Sequence, residues 1–325
     1  MTTREHINEH YNGRGFMALS AIALVAATIV ALWAGVQAPS VEGHGIFFSF
    51  RNSLIDNAPL SAAANVLCLL ITGGILLAIN KVFTFVRSVT YLFASAFFWL
   101  QLANPSGLVA LHVGTLMCLM TAVLMLPLFA SFQDRHSQRS IFLVFALVAT
   151  GTMFHYGFVV LLPAFLLGFL NMGVMNLKGV LAMLFGLVTP FWIILGLGIV
   201  SPTDAMAPQW LVLDIPALTP LLLLAAATAM LGIVLAVMNL PTIMNYRLQP
   251  RVYNAFFVIV LVLTVIAMSL DHRDLTVYLP LLGLMVAVQV AQVHTLRTYR
   301  YRYVFLLLLV VACVAGYVYH LSKLL

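Results

Sequence analysis

A polytopic α-helical bundle spanning a membrane is the fold class this sequence predicts, and three observations predict it. Of 325 residues, 63% are apolar and only 7% are charged, against about 25% charged in a soluble domain. So few charges cannot cover an aqueous surface without leaving large apolar patches. The apolar residues also come in solid runs of about twenty, the length a helix needs to cross some 30 Å of hydrocarbon. A closed barrel would instead show strictly alternating segments of about ten residues. Finally, short polar turns punctuate the runs and hold most of the charge.

Taken in order, the runs place spans over 17–36, 60–79, 86–103, 107–130, 140–154, 157–171, 179–200, 217–239, 253–270, 275–293 and 303–320. That is about eleven spans (10–11) in one integral domain covering 1–325. Residues 1–16 carry mixed charge ahead of the first run, which has no small-residue cleavage pattern and reads as a retained helix. Residues 37–59 form the longest connector and contain GHGIFFSFRNSLIDNAP. Its Ile and Phe residues fall on one face at helical spacing, predicting a short interfacial helix. The runs 140–154 and 157–171 flank His155-Tyr156-Gly157 and would each be only about 22 Å long at 1.5 Å per residue. They read as two short spans, or as a re-entrant hairpin with the same downstream topology.

The positive-inside rule orients the bundle. With an inside amino terminus and an outside carboxyl terminus, only Arg51, Arg273 and Lys323 of the 15 basic residues lie outside. Fusing 140–171 into one helix would divide the basic residues almost evenly, so two segments are favoured. Residues 1–16 then become a cytoplasmic segment and 37–59 an outer loop.

That topology delivers Glu42, Asp56, Asp204, Asp214, Asp271 and Asp274 to the outer boundary, with His44, Arg51, His155, His272 and Arg273. Asp56 and Glu42 are the candidate catalytic bases. Arg51, His44, His112, His155, Asp271, His272 and Arg273 are the candidate substrate-binding residues. His112 falls inside the fourth run, where an ionisable side chain marks a functional-site hypothesis, while a neutral histidine bonded to a neighbouring helix is the plainer alternative. The Asp271–Asp274 turn reads first as a solvated cap, with Asp274 as the next helix's N-cap, and second as a ligand contact.

Other classes of function are disfavoured. The run midpoints hold no Asp, Glu, Lys or Arg, unlike many ion-coupled transporters. There is no phosphate-binding glycine loop, HExxH or GxSxG. Cys68, Cys118 and Cys313 each lie inside a run with no ligand spacing, so no metal or cofactor is expected. The net charge of +6 is scattered through the turns and predicts no nucleic-acid partner.

The runs ITGGILLAINK (71–81), LANPS (102–106), MLFGLVTPFWIILG (183–196) and LDHRDLTVYLPLLGLMVA (270–287) together resemble a family of polytopic inner-membrane proteins of Bacteroidota, defined as a domain of unknown function. More distantly, the architecture is similar to that of the GT-C membrane glycosyltransferases. That similarity implies action on a polyprenyl-phosphate-linked glycan at the outer leaflet of the bacterial inner membrane, with Asp56 or Glu42 as base and Arg51 and His44 near phosphate. The alternatives are a non-catalytic scaffold or assembly subunit bound to another envelope membrane protein, and a transporter or flippase. In every case the first partner is the lipid bilayer.

Overall fold

Hydropathy cannot decide which apolar helix becomes the centre of a membrane bundle, because lipid tails are as apolar as leucine. The computed structural model describes residues 13–39, 41, 43–49, 54–86, 90–208, 219–296 and 302–324. Among these the chain is all helical: α1 (Arg14–Trp33), α2 (Ala58–Phe83), α3 (Leu92–Leu102), α4 (Pro105–Leu108), α5 (Val113–Ala130), α6 (Gln138–Phe154), α7 (Leu161–Asn171), α8 (Leu177–Gly196), α9 (Pro220–Met244), α10 (Leu248–Leu270), α11 (Leu275–Leu296) and α12 (Arg302–Leu324). Eight helices are long and apolar enough to cross a membrane. Each predicted run overlaps helix among the described residues, with the run over 86–103 helical only from Leu92 to Leu102 and that over 107–130 interrupted before Val113. The shorter apolar helices are α3, α6 and the segment Tyr156–Asn171, which opens with a 3-10 turn at Tyr156–Val160.

The centre is α11, of whose most apolar stretch 94% is buried, against 11% for α8. All 11 residues of α3 are buried beside it. Polar side chains distinguish these two helices from the lipid-facing ones. The Gln101 Nε2 of α3 donates to the Pro280 carbonyl of α11 at 3.2 Å. Further along α11, Gln289 Oε1 accepts from Asn239 Nδ2 of α9 at 3.0 Å. Gln292 bonds to Asn254 of α10, whose Nδ2 reaches the Phe85 carbonyl at 3.1 Å. An amide left unpaired in hydrocarbon is costly, so these residues turn their helices inward. At the same end of the bundle Tyr253 stacks on Phe129 with ring centroids 4.4 Å apart.

By contrast, α8 holds to the bundle chiefly through α6. Gly186 lies so close to the Phe142 carbonyl and the Ala146 amide that an added Cβ would strike backbone. This is the close approach that small residues permit between membrane helices. Trp192 and Phe185, on its other face, are exposed.

The interfacial helix expected over 37–59 does not form in the described part of that connector. Residues 43–49 and 54–57 are bends and coil, and 50–53 lie outside the described residues. The physical reason is the end of α6, whose last carbonyls have no helical donor. The Ile46 amide donates to Thr152 O at 3.1 Å and the Phe48 amide to Met153 O at 3.1 Å, while the His44 carbonyl accepts from the Tyr156 amide at 3.0 Å. Phe48 stacks on Phe154 and Phe47 meets Phe191 of α8 edge-on. Phe47 and Phe48 thus pack against aromatic side chains at α8 and the end of α6.

Candidate functional site

The chain breaks at His155, which is extended (φ −156°, ψ 134°) between α6 and the 3-10 turn. Its Nδ1 accepts from the Gly157 amide at 2.9 Å, the role an Asn or Ser side chain plays at a helix start. Phe158 then folds back over Gly151, where any Cβ would collide with its ring. In the neutral imidazole this bond assigns the proton to Nε2. That nitrogen stands 3.3 Å from Asp274 Oδ2, with both side chains almost wholly buried. The approach of this nitrogen to the carboxylate oxygen is not an aligned hydrogen bond.

Asp274 ends the Asp271–Asp274 turn from α10 into α11. The Asp271 carboxylate accepts from Tyr278 Oη at 2.9 Å and from the Asp274 amide. Burial, followed by the neighbouring charge of Asp274, pushes the Asp271 carboxyl above its ordinary range. Over this group lies the GHG turn. A Cβ on Gly43 would collide with both Asp274 Oδ2 and His155 Nε2, and one on Gly45 with the Met153 carbonyl. The His44 ring packs edge-on against Tyr156 at 5.6 Å. Of the predicted site residues, His44, His155 and Asp271 therefore converge. Asp274, expected as a helix cap, sits between them.

Two hollows flank the turn. An apolar groove of about 200 Å³ is lined by Val159, Val160 and Pro163 on one wall and Leu263, Ile266 and Leu270 on the other, and ends at Asp271 and Tyr278. A cavity of about 640 Å³ is lined by His272, Arg273 and Thr276, together with His320 and Lys323 at the end of α12. The sequence reading missed His320, Lys323, Tyr278 and Gly43. His320 and Lys323 share one face of the last helix at three-residue spacing, a signal available beforehand.

The remaining predicted residues fall elsewhere. His112 is the N-cap of α5: its Nδ1 accepts from the Gly114 amide at 3.1 Å, and its ring also bonds the Gly107 backbone. Thr115, 3.4 Å from His112 Nε2, donates to Asn65 Oδ1 at 2.7 Å, and Asn65 holds the Gly107 carbonyl at 2.9 Å. His112 thus ties the α4 turn to α2 and α5 and is not part of the convergent group. Asp56 is exposed just before Asn57, the N-cap of α2. Glu42 and Arg51 lie outside the described residues. Among the described residues, no group of three or more His, Cys, Asp or Glu is placed to hold a metal ion.

Of His155, Asp271 and Asp274, Asp271 alone lines the apolar groove, and it is the group placed to meet a ligand there. A carboxyl with a raised pKa beside a hydrocarbon-lined groove can exchange a proton with a bound hydroxyl. Comparison with protein-family models, with curated proteins and with solved structures finds no match for this chain.

Proposed function

We propose that this multi-pass membrane protein, placed in the bacterial inner membrane, is a GT-C-like transferase. It transfers a sugar from a polyprenyl-phosphate-linked donor at the outer leaflet. Supporting the reading is the convergence of Asp271, Asp274 and His155 at one end of the bundle, where an apolar groove stops at the Asp271 carboxylate. The charge bias of the turns assigns that end to the outside, with eleven crossings, the amino terminus inside and the carboxyl terminus outside.

In this reading the prenyl chain occupies the groove and Asp271 replaces Asp56 and Glu42 as the base. The Asp271 carboxylate takes the proton of the acceptor hydroxyl as that oxygen bonds to the anomeric carbon. The bond from that carbon to the phosphate oxygen breaks, and its electron pair leaves on the polyprenyl phosphate. Asp274 and His155 are positioning residues that fix the turn, and the neighbouring charge of Asp274 raises the proton affinity of Asp271.

Asp271→Asn should abolish the surface glycan while membrane expression persists, with product formation lowered about 10²–10⁴-fold, the usual contribution of a general base. Wild-type glycan in a well-expressed Asp271→Asn strain would end the proposal. Cysteine labelling offers a separate check, with a probe at 272 reacting from outside the cell and one at 245 only after permeabilisation.

A further inference from the structure

The cavity of about 640 Å³ has a charge pattern that acid–base chemistry at Asp271 leaves unexplained. Its size falls in the usual ligand-pocket range of about 300–1,000 Å³. Two helix starts open into it, Thr219–Leu221 of α9 and Leu275–Thr276 of α11, and each presents the positive end of a helix dipole. Around them stand Arg273, Lys323, His272 and His320, and no acidic residue lines the cavity among the described residues. His320 is held by a hydrogen bond to the Pro220 backbone. Thr276, which lines the cavity, is 95% buried as a residue, and its buried Oγ1 has no hydrogen-bond partner. A buried hydroxyl without a partner is costly unless something else fills that role.

We propose that this cavity is a binding site for a phosphate group. Its donors approach from separate elements: two helix starts, a guanidinium, an ammonium and a hydroxyl. That arrangement suits a tetrahedral anion, which accepts in several directions, better than a planar carboxylate. Thr276 Oγ1 donates to a phosphate oxygen, and Arg273 and Lys323, whose side chains are exposed, meet the anion from the aqueous side. The inference deepens the transferase reading by naming the charged part of its substrate, and rests on that reading only for the reaction.

The test uses the full chain purified in mild detergent. Thermal unfolding is followed in inorganic phosphate against chloride at equal ionic strength. Retention of phosphatidic acid against phosphatidylcholine is measured by native mass spectrometry. For the phosphate-bearing probe, Arg273→Gln/Lys323→Gln should weaken binding tenfold or more, and Thr276→Val about three- to tenfold. Variant-sensitive binding of inorganic phosphate identifies a site for the free group, and variant-sensitive retention of phosphatidic acid alone identifies a lipid headgroup. Equal behaviour of wild type and the double variant with both probes overturns the site. Both residues of the double variant are exposed, so the test survives if Thr276→Val fails to fold. Phosphate binding alongside an Asp271-independent glycan would discard the transferase and keep the site, whereas an Asp271-dependent glycan without phosphate binding would do the reverse.

Discussion

His112-Val113-Gly114 and His155-Tyr156-Gly157 are built alike and serve different ends. In both, an extended histidine precedes a helical turn and its Nδ1 accepts from the glycine amide two residues on, at 3.1 and 2.9 Å. Both glycines face Val277 of α11. The difference lies in the other side of each ring. His112 bonds the Gly107 backbone and lies near Thr115, all neutral neighbours. His155 faces the Asp274 carboxylate, which in turn raises the pKa of Asp271. The shared half of the geometry is a local cap that the H-x-G sequence dictates. The unshared half comes from residues more than a hundred positions away, and it separates a structural histidine from one that supports a site.

The largest effect should come from replacing each histidine by asparagine, which keeps the cap and removes the far nitrogen. At His155→Asn the buried Asp274 carboxylate loses the ring nitrogen it faces, and a polar contact to a charged group is worth about 1.5–3 kcal/mol. At His112→Asn a neutral hydrogen bond is lost, for about 1 kcal/mol. Thermal unfolding in detergent measures both, and equal losses would erase the distinction.

A smaller effect separates the two glycines. An added Cβ at Gly114 meets the backbone of Val277 and Thr276, whereas at Gly157 it meets the His155 ring and the Val277 Cγ1. Backbone cannot move aside as a side chain can. Gly114→Ala should therefore cost about 1–3 kcal/mol and Gly157→Ala less, with the reverse order showing that the α5 start is the looser of the two.

The smallest effect concerns pH. Because Asp271 is raised from 3.8, the folded chain binds more protons than the unfolded chain above that pH, and stability falls as pH rises through the window up to the raised value. Asp271→Asn removes this term. The wild type should lose more unfolding temperature between about pH 4 and pH 7 than the variant, and parallel profiles would mean that Asp271 titrates normally.

Much of the helix layout was legible because it is local. The runs overlap helices, and the break at His155 follows from a polar residue and a glycine between two short apolar segments. Of the site, the Asp271–Asp274 turn and His44, His155, His272 and Arg273 were legible as polar residues gathered at one end. The connector over 43–57 was misjudged because periodicity described an amphipathic face, while its backbone donors are claimed by the open carbonyls of α6. His320 and Lys323 resembled ordinary end-of-helix polar residues until α12 was placed beside the 271–274 turn.

The sequence by itself determined that this chain is helical, roughly where most helices start and stop, and that polar residues gather in the turns at 155 and 271–274. In hydrocarbon each backbone group must find its partner within the segment, and such pairing is written in short stretches. Only the tertiary structure decided that α11 is central, that Gly43 lies over the His155–Asp274 pair, and that four cationic or histidine side chains share one cavity. Apolar helices are interchangeable to lipid, and the few amides and carboxylates that break the tie act between residues far apart in the chain.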